Sequence, residues 1–301
     1  MQPDERLTAI ICTHARPRYL AACLAGLGAQ RDGACDIIVV DSASGGPAAA
    51  EIVRLAQAAG ARLIRTERAG LSHARNLGLA ASDAAWTAFL DDDAVPAPDW
   101  AFRMAEAIAA LPAEAAALGG RIIPEWESPL PSWWPPTLRG VLTIVEWDGV
   151  GEEGRDLPQG VAVYGANMAF RTADLRDIGG FPEDLGRVGN RLLSGEEVEA
   201  LDRLRARGLR VFYDGRIAVR HSIQRERLKP GWLLSRLHWQ GATDALRDRR
   251  RGGARRMAGA AAKLAVQAPL LLFPQHATSL LRARCGAAYN LGYLRGALQS
   301  Q

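Results

Sequence analysis

An α/β fold is what this 301-residue sequence predicts: a mixed, mostly parallel sheet flanked by helices, with a helical C-terminal extension. Three observations lead there. Short β-branched runs alternate with helical stretches through the first half, the pattern of a parallel sheet covered by helices. Hydrophobic residues make up 48% of the chain and charged residues 23%, which allows a sizeable core and excludes a disordered or collagen-like protein. Beyond Leu228 the chain reads as helical to its end.

Leu7–Thr13 (LTAIICT) reads as a buried strand, and Pro17–Gln30 as a helix with Pro17 in its first turn. Asp36–Asp41 is the second strand, Ser42–Gly46 a turn, and Pro47–Ala59 a helix ended by Gly60. Ala61–Thr66 is a third strand and Leu71–Ala81 a helix. Trp86–Leu90 is a fourth strand, running into Asp91-Asp92-Asp93. Asp99 is placed to cap a helix to Ala110, and Ala117–Ile123 reads as another strand. Glu125–Gly160 is rich in Pro, Trp and Gly without periodicity, a surface loop region of the kind that carries specificity. Tyr164–Arg171 resumes regular structure, followed by a helix Thr172–Ile178 capped by Thr172 and a loop at Phe181–Leu193. Glu196–Arg207 is a helix, and Leu209–Asp214 and Ile217–His221 are short strands. The tail is interrupted at Gly252-Gly253, Pro269 and Pro274.

Composition narrows the setting. The four cysteines show no CxxC spacing, which argues against a zinc ribbon or a disulfide framework and favours a reducing compartment. The acidic start, MQPDERLTAII, lacks the features of a secretory signal. Ala258–Phe273 is the nearest approach to a membrane span, but Lys263, Gln267 and Pro269 break it below the ~18 apolar residues a span needs. The expected location is the cytoplasm, with peripheral contact on the inner face of the membrane as an extension of that reading. Net charge is only +4, yet arginines recur densely from Arg203 to Arg256 and include Arg247-Asp248-Arg249-Arg250-Arg251. Such a patch attracts phosphates, while the presence of only two lysines, Lys229 and Lys263, favours a compositional origin. Trp232, Leu233, Leu237, Trp239 and Leu246 form a partly amphipathic helix, which fits shallow docking on an anionic membrane, packing on the rest of the chain, or a homodimer contact.

In a parallel sheet, ligands bind at the carboxyl ends of the strands. Those ends carry Thr13, Asp41-Ser42 and Asp91-Asp92-Asp93. Three consecutive carboxylates repel one another, and a hard divalent ion, Mg²⁺ or Mn²⁺, is their natural counter-charge. No GxGxxG follows a strand and no GxxxxGK[ST] or HExxH occurs, against dinucleotide dehydrogenases, P-loop enzymes and zinc proteases.

The segments TAIICTHARPRYL, DIIVVDSAS, GLSHARNLGL, FLDDDAVPAPDW, GANMAFRTADLRDIGGF and LLSGEEVEALDRLRARG resemble, in order, the signature blocks of family 2 glycosyltransferases with the GT-A fold. The resemblance covers about residues 7–221. It implies a catalytic domain over 1–227, with a nucleotide-sugar half to about 123 and an acceptor half from about 124, and a helical extension over 228–301. It implies sugar transfer from a nucleotide-diphosphate donor, a UDP-sugar by preference, to a hydroxyl-bearing acceptor, with inversion. No specific nucleic-acid partner is expected.

Residue by residue, the resemblance places Thr13, Asp41, Arg75, Asn76, Asp91 and Asp92 with the nucleotide, and Asp93 and His221 with the metal. His73 is a neighbour of the site only. Related proteins carry Glu-Asp where this chain has Glu196-Glu197, so Glu197 takes the place of the general base and Glu196 that of an acceptor ligand. Three readings stay open here. Glu197 is the base; Glu196 is the base; or Ser194-x-x-Glu197 is a capping box at a helix start. The longer Glu also shifts the carboxylate by about an ångström. Trp133 and Trp134 belong to the expected acceptor and sugar pocket, and Gly165-Ala166-Asn167 to its floor. A sugar nucleotidyltransferase and a catalytically degenerate scaffold are the rival readings.

Overall fold

A computed structural model describes residues 7–31, 35–158, 163–189, 191–251, 256–272 and 277–298. In chain order the elements are β1 (Leu7–Thr13), α1 (Pro17–Gly28), β2 (Asp36–Ser42), α2 (Gly46–Ala58), β3 (Arg62–Thr66) and α3 (Leu71–Ala81). There follow β4 (Trp86–Asp91), β5 (Ala94–Pro96), α4 (Trp100–Ala110), β6 (Ala115–Trp126), β7 (Val150–Glu152), β8 (Met168–Arg171) and α5 (Thr172–Asp177). The remainder is α6 (Glu196–Ala206), β9 (Arg210–Ile223), α7 (Pro230–Arg250), α8 (Arg256–Leu272) and α9 (Ala277–Leu298).

The strands form one mixed sheet in the order β3-β2-β1-β4-β8-β6-β9-β5, with β7 on β9. Its parallel part is β1 to β4, where Cys12 stands opposite both Val40 and Asp91. The β4–β8, β6–β8, β5–β9 and β7–β9 pairs are antiparallel. Alternate residues of β1 enter different cores. Ala9 and Ile11 pack with Leu20, Ile52 and Met104 of α1, α2 and α4, while Ile10 packs with Ala74 and Leu79 of α3 and Leu201 of α6. A strand buried on both faces needs a continuous apolar run, which LTAIICT supplies.

The chain divides into two compact units, one of residues 1–125, 142–184 and 196–222 and one of 126–141, 185–195 and 223–301. The second unit thus gathers the Trp133-Trp134 stretch and the segment before α6 together with the tail. Within it α7 and α9 approach at Gly241 and Gly292, where a Cβ would strike the backbones of Tyr289 and His238 respectively. That closeness lets Tyr289 Oη donate to Asp244 Oδ2 at 2.7 Å, and Tyr293 Oη to Asp248 Oδ2 at 2.9 Å. One face of the amphipathic tail helix is therefore covered by α9 of the same chain. Among the described residues no helix is long and apolar enough to cross a membrane, and all four cysteines are free.

Several local expectations change. Leu209–Asp214 and Ile217–His221 are one strand, β9, because Asp214 takes Arg216 Nε at 3.0 Å and its amide at 2.9 Å instead of turning the chain. Tyr164–Arg171 contributes a strand only from Met168. Asp99 is the N-cap of α4 but makes no capping bond; its carboxylate takes Arg103 Nε at 3.1 Å. Thr172 is inside α5 and its hydroxyl pairs with that of Thr87 at 2.8 Å. Helix α8 runs through Pro269, whereas Gly252, Gly253, Arg255 and Pro274 lie outside the described residues, as do Gly160 and Phe273.

Candidate active site

Parallel pairing of β1, β2 and β4 brings Thr13, Asp41 and Asp91 to one edge of the sheet. Two of the loops that follow are stitched together in strained backbone. Ala15 and Ala43 have φ of 52° and 59°, a region that costs a non-glycine residue about 1–3 kcal/mol. They are held there by Ala15 N donating to Ser44 Oγ at 2.7 Å and Ala43 N donating to Thr66 O at 2.8 Å.

The acidic triplet splits into different roles. Asp92 turns toward β1: it accepts from Thr13 Oγ1 at 2.7 Å and pairs with Arg16 Nη1 at 3.1 Å. Burial raises the Asp92 carboxyl to about 7 against the opposing pull of Arg16. Thr13 and Asp92, both expected beside the nucleotide, thus spend these groups on each other. Arg16 also reaches Asp93 Oδ2 at 2.5 Å and lies 4.5 Å over the Tyr19 ring. Arg16 has no place in the sequence-based site; its signal was an arginine three residues past the first strand, facing an acidic triplet.

Asp91, Asp93 and His221 each offer a ligand atom, all within 4.8 Å of one another. His221 arrives through β5, whose Ala94 pairs with His221, and Ser222 N donates to Asp93 O at 2.9 Å. Its Nε2 lies 3.4 Å from Asp93 Oδ1, and both residues are buried, at 1% and 2% exposure. Two carboxylates and an imidazole converging at this spacing fit a divalent cation. Asp91 joins this set beside the nucleotide role expected of it.

Asp41 is buried, accepting from Ser44 N at 3.2 Å and from Arg65 Nε at 3.1 Å. The Arg75 guanidinium is buried between Glu196 Oε1 at 2.6 Å and Asp91 Oδ1 at 3.0 Å. Burial lowers its pKa, but Glu196, Asp91 and Glu197 hold it above the ordinary arginine value. Asn76 spends its side chain on the backbone of Phe181. Arg75 and Asn76 thus bond to groups of the chain itself, and His73 likewise has Nδ1 3.1 Å from Glu183 Oε1.

Helix α6 opens with Glu196 and Glu197, both buried. Glu197 Oε2 has no hydrogen-bond partner among the described residues. Ser194, the residue a capping box would use, donates its amide to Thr243 Oγ1 at 3.3 Å and accepts Arg236 Nη2 on its hydroxyl at 3.0 Å.

A Cβ on Gly165 would fall on Arg75 Nη2, so the need for a small residue here comes from the arginine. Ala166 is fully buried against the core. Asn167 accepts from Trp100 Nε1 at 3.0 Å and donates to Ile217 O at 2.8 Å and Arg121 O at 3.0 Å. Its amide thus ties α4, β6 and β9 together. Trp133 and Trp134 lie in the second unit, with ring centres 5.4 Å apart and tilted by 38°.

A family profile, "Glycosyl transferase family 2", matches residues 8–177. A glucosyl-dolichyl phosphate glucuronosyltransferase of Haloferax volcanii is 28% identical over 183 residues, which is 60% of this chain and 57% of that protein; the match thus spans little more than half of the relative. Two solved structures are similar in fold. The mannosyltransferase PcManGT from Pyrobaculum calidifontis, in complex with GDP-Man and Mn²⁺, superposes with a TM-score of 0.59 at 20% identity, covering 97% of this chain and 89% of that one. S. aureus TarS in complex with UDP gives 0.56 at 15% identity, with 96% and 90% covered.

Proposed function

As a member of glycosyl transferase family 2 this chain is a glycosyltransferase, and we propose that it moves a sugar from a nucleotide-diphosphate donor, a UDP-sugar first, to an acceptor hydroxyl with inversion. The observation that carries this reading is the convergence of Asp91, Asp93 and His221 at the carboxyl ends of the strands. A divalent cation bound there would neutralise the charge that builds on the leaving diphosphate, and the imidazole in the set favours Mn²⁺ over Mg²⁺.

Glu197 is the general base in this account. Its Oε2 is buried without a hydrogen-bond partner among the described residues, as an atom kept for an incoming hydroxyl would be. Glu196 is the weaker choice because Arg75 already holds its Oε1. Glu197 takes the acceptor proton, the acceptor oxygen bonds to the anomeric carbon, and the bond from that carbon to the diphosphate oxygen breaks on the opposite face. One displacement inverts the centre.

Glu197→Gln tests the role. With nucleotide sugars screened for Mn²⁺-dependent release of nucleotide, the variant should bind donor as the wild type does and lose at least about 100-fold in turnover. Unchanged turnover would remove Glu197 from the mechanism.

A further inference from the structure

Arg75 sits in the middle of α3 with 3% of its surface exposed. Its two terminal nitrogens go to different carboxylates: Nη1 to Glu196 at the head of α6, and Nη2 to Asp91 at the end of β4. The fork has little freedom, since Gly165 lies against Nη2 with no room for a Cβ, and the Phe181 ring is 5.6 Å from the guanidinium carbon. A buried cation shared between two anions is a divided resource. Whatever neutralises one anion releases the guanidinium toward the other.

We propose that Arg75 is a positioning residue coupling Asp91, on the cation side, to Glu196, so that cation binding and the setting of the Glu196-Glu197 turn are one event. The inference rests on the cation reading of Asp91, Asp93 and His221. A cation drawing on Asp91 leaves more of the Arg75 charge for Glu196, and this fastens the first turn of α6, from which Glu197 projects. Reciprocity follows: a change at Glu196 must alter cation affinity although Glu196 is not in the ligand set.

The test is calorimetric titration of Mn²⁺ into the full chain without nucleotide, for wild type, Glu196→Gln and Glu196→Asp. Glu196→Gln removes the competing charge at nearly constant shape, so Arg75 turns wholly to Asp91 and Mn²⁺ should bind about fivefold more weakly or worse. Glu196→Asp keeps the charge and should stay within about twofold of wild type. Circular dichroism checks that both variants are folded. Equal affinity in wild type and Glu196→Gln, or equal weakening in both variants, would overturn the coupling. Failure of the wild type to bind Mn²⁺ would overturn the cation reading and the coupling with it.

Discussion

Asn76 and Phe181 hold each other in both directions: Asn76 Nδ2 donates to Phe181 O, and Phe181 N donates to Asn76 Oδ1, each at 2.8 Å. One amide side chain replaces a whole β-bridge between α3 and the segment after α5. Phe181 in turn makes edge contacts with Phe89 and Phe170, at 5.1 and 5.7 Å between ring centres. The clamp therefore fixes part of the core on which Arg75 rests.

Asn76→Ala removes both bonds and leaves the Phe181 amide and carbonyl without this partner. A loss of about 2–4 kcal/mol is expected in urea unfolding, from two buried groups at about 1–2 kcal/mol each. A loss below about 0.5 kcal/mol would mean that other groups or water replace the clamp.

Gly165→Ala puts a methyl group on Arg75 Nη2. The guanidinium must leave Asp91, at a cost of about 1–3 kcal/mol in stability. Melting temperature and Mn²⁺ titration should both change in this variant. Wild-type values for both would show that the fork accommodates the methyl group.

Asn167→Ala should be among the most damaging single substitutions outside the Asp91, Asp93 and His221 group, at about 3–5 kcal/mol. It strands the Trp100 indole N–H and the carbonyls of Arg121 and Ile217, which lie on α4, β6 and β9. Chemical denaturation measures this, and a near-neutral result would refute its role as a core tie.

The order of elements was legible where the sequence carries both period and punctuation. Helix α3 was predicted at Leu71–Ala81 and is found there. β1, β2 and β4 carry apolar runs ending in polar residues, so both strand and site edge are legible there. The three-residue β5 was not legible, although it is what delivers His221 to Asp93. The Gly215-Arg216 pair read as a break, but Asp214 holds the Arg216 amide and guanidinium and the strand continues.

Within the site, sequence pattern locates residues, while the partners of their side chains emerge only from the fold. Asp91, Asp92 and Asp93 are consecutive, and only the turn after β4 decides that Asp92 faces Thr13 while its neighbours face His221. The motif resemblance places Arg75 and Asn76 with the nucleotide. Their partners, Glu196 and Phe181, are distant in sequence and become visible only when the chain is folded. The choice between Glu196 and Glu197 is open in the sequence for the same reason, and the proposal for Glu197 draws on the ion pair that Arg75 makes with Glu196.

The most direct test of the account is calorimetric titration of UDP and GDP into the full chain with Mn²⁺ and again with EDTA, for wild type and Asp93→Asn. Nucleotide binding by the wild type in Mn²⁺, lost both in EDTA and in Asp93→Asn, is the predicted result. Nucleotide affinity that is the same in EDTA as in Mn²⁺ would contradict the assignment of Asp91, Asp93 and His221 as the cation site on which donor binding depends.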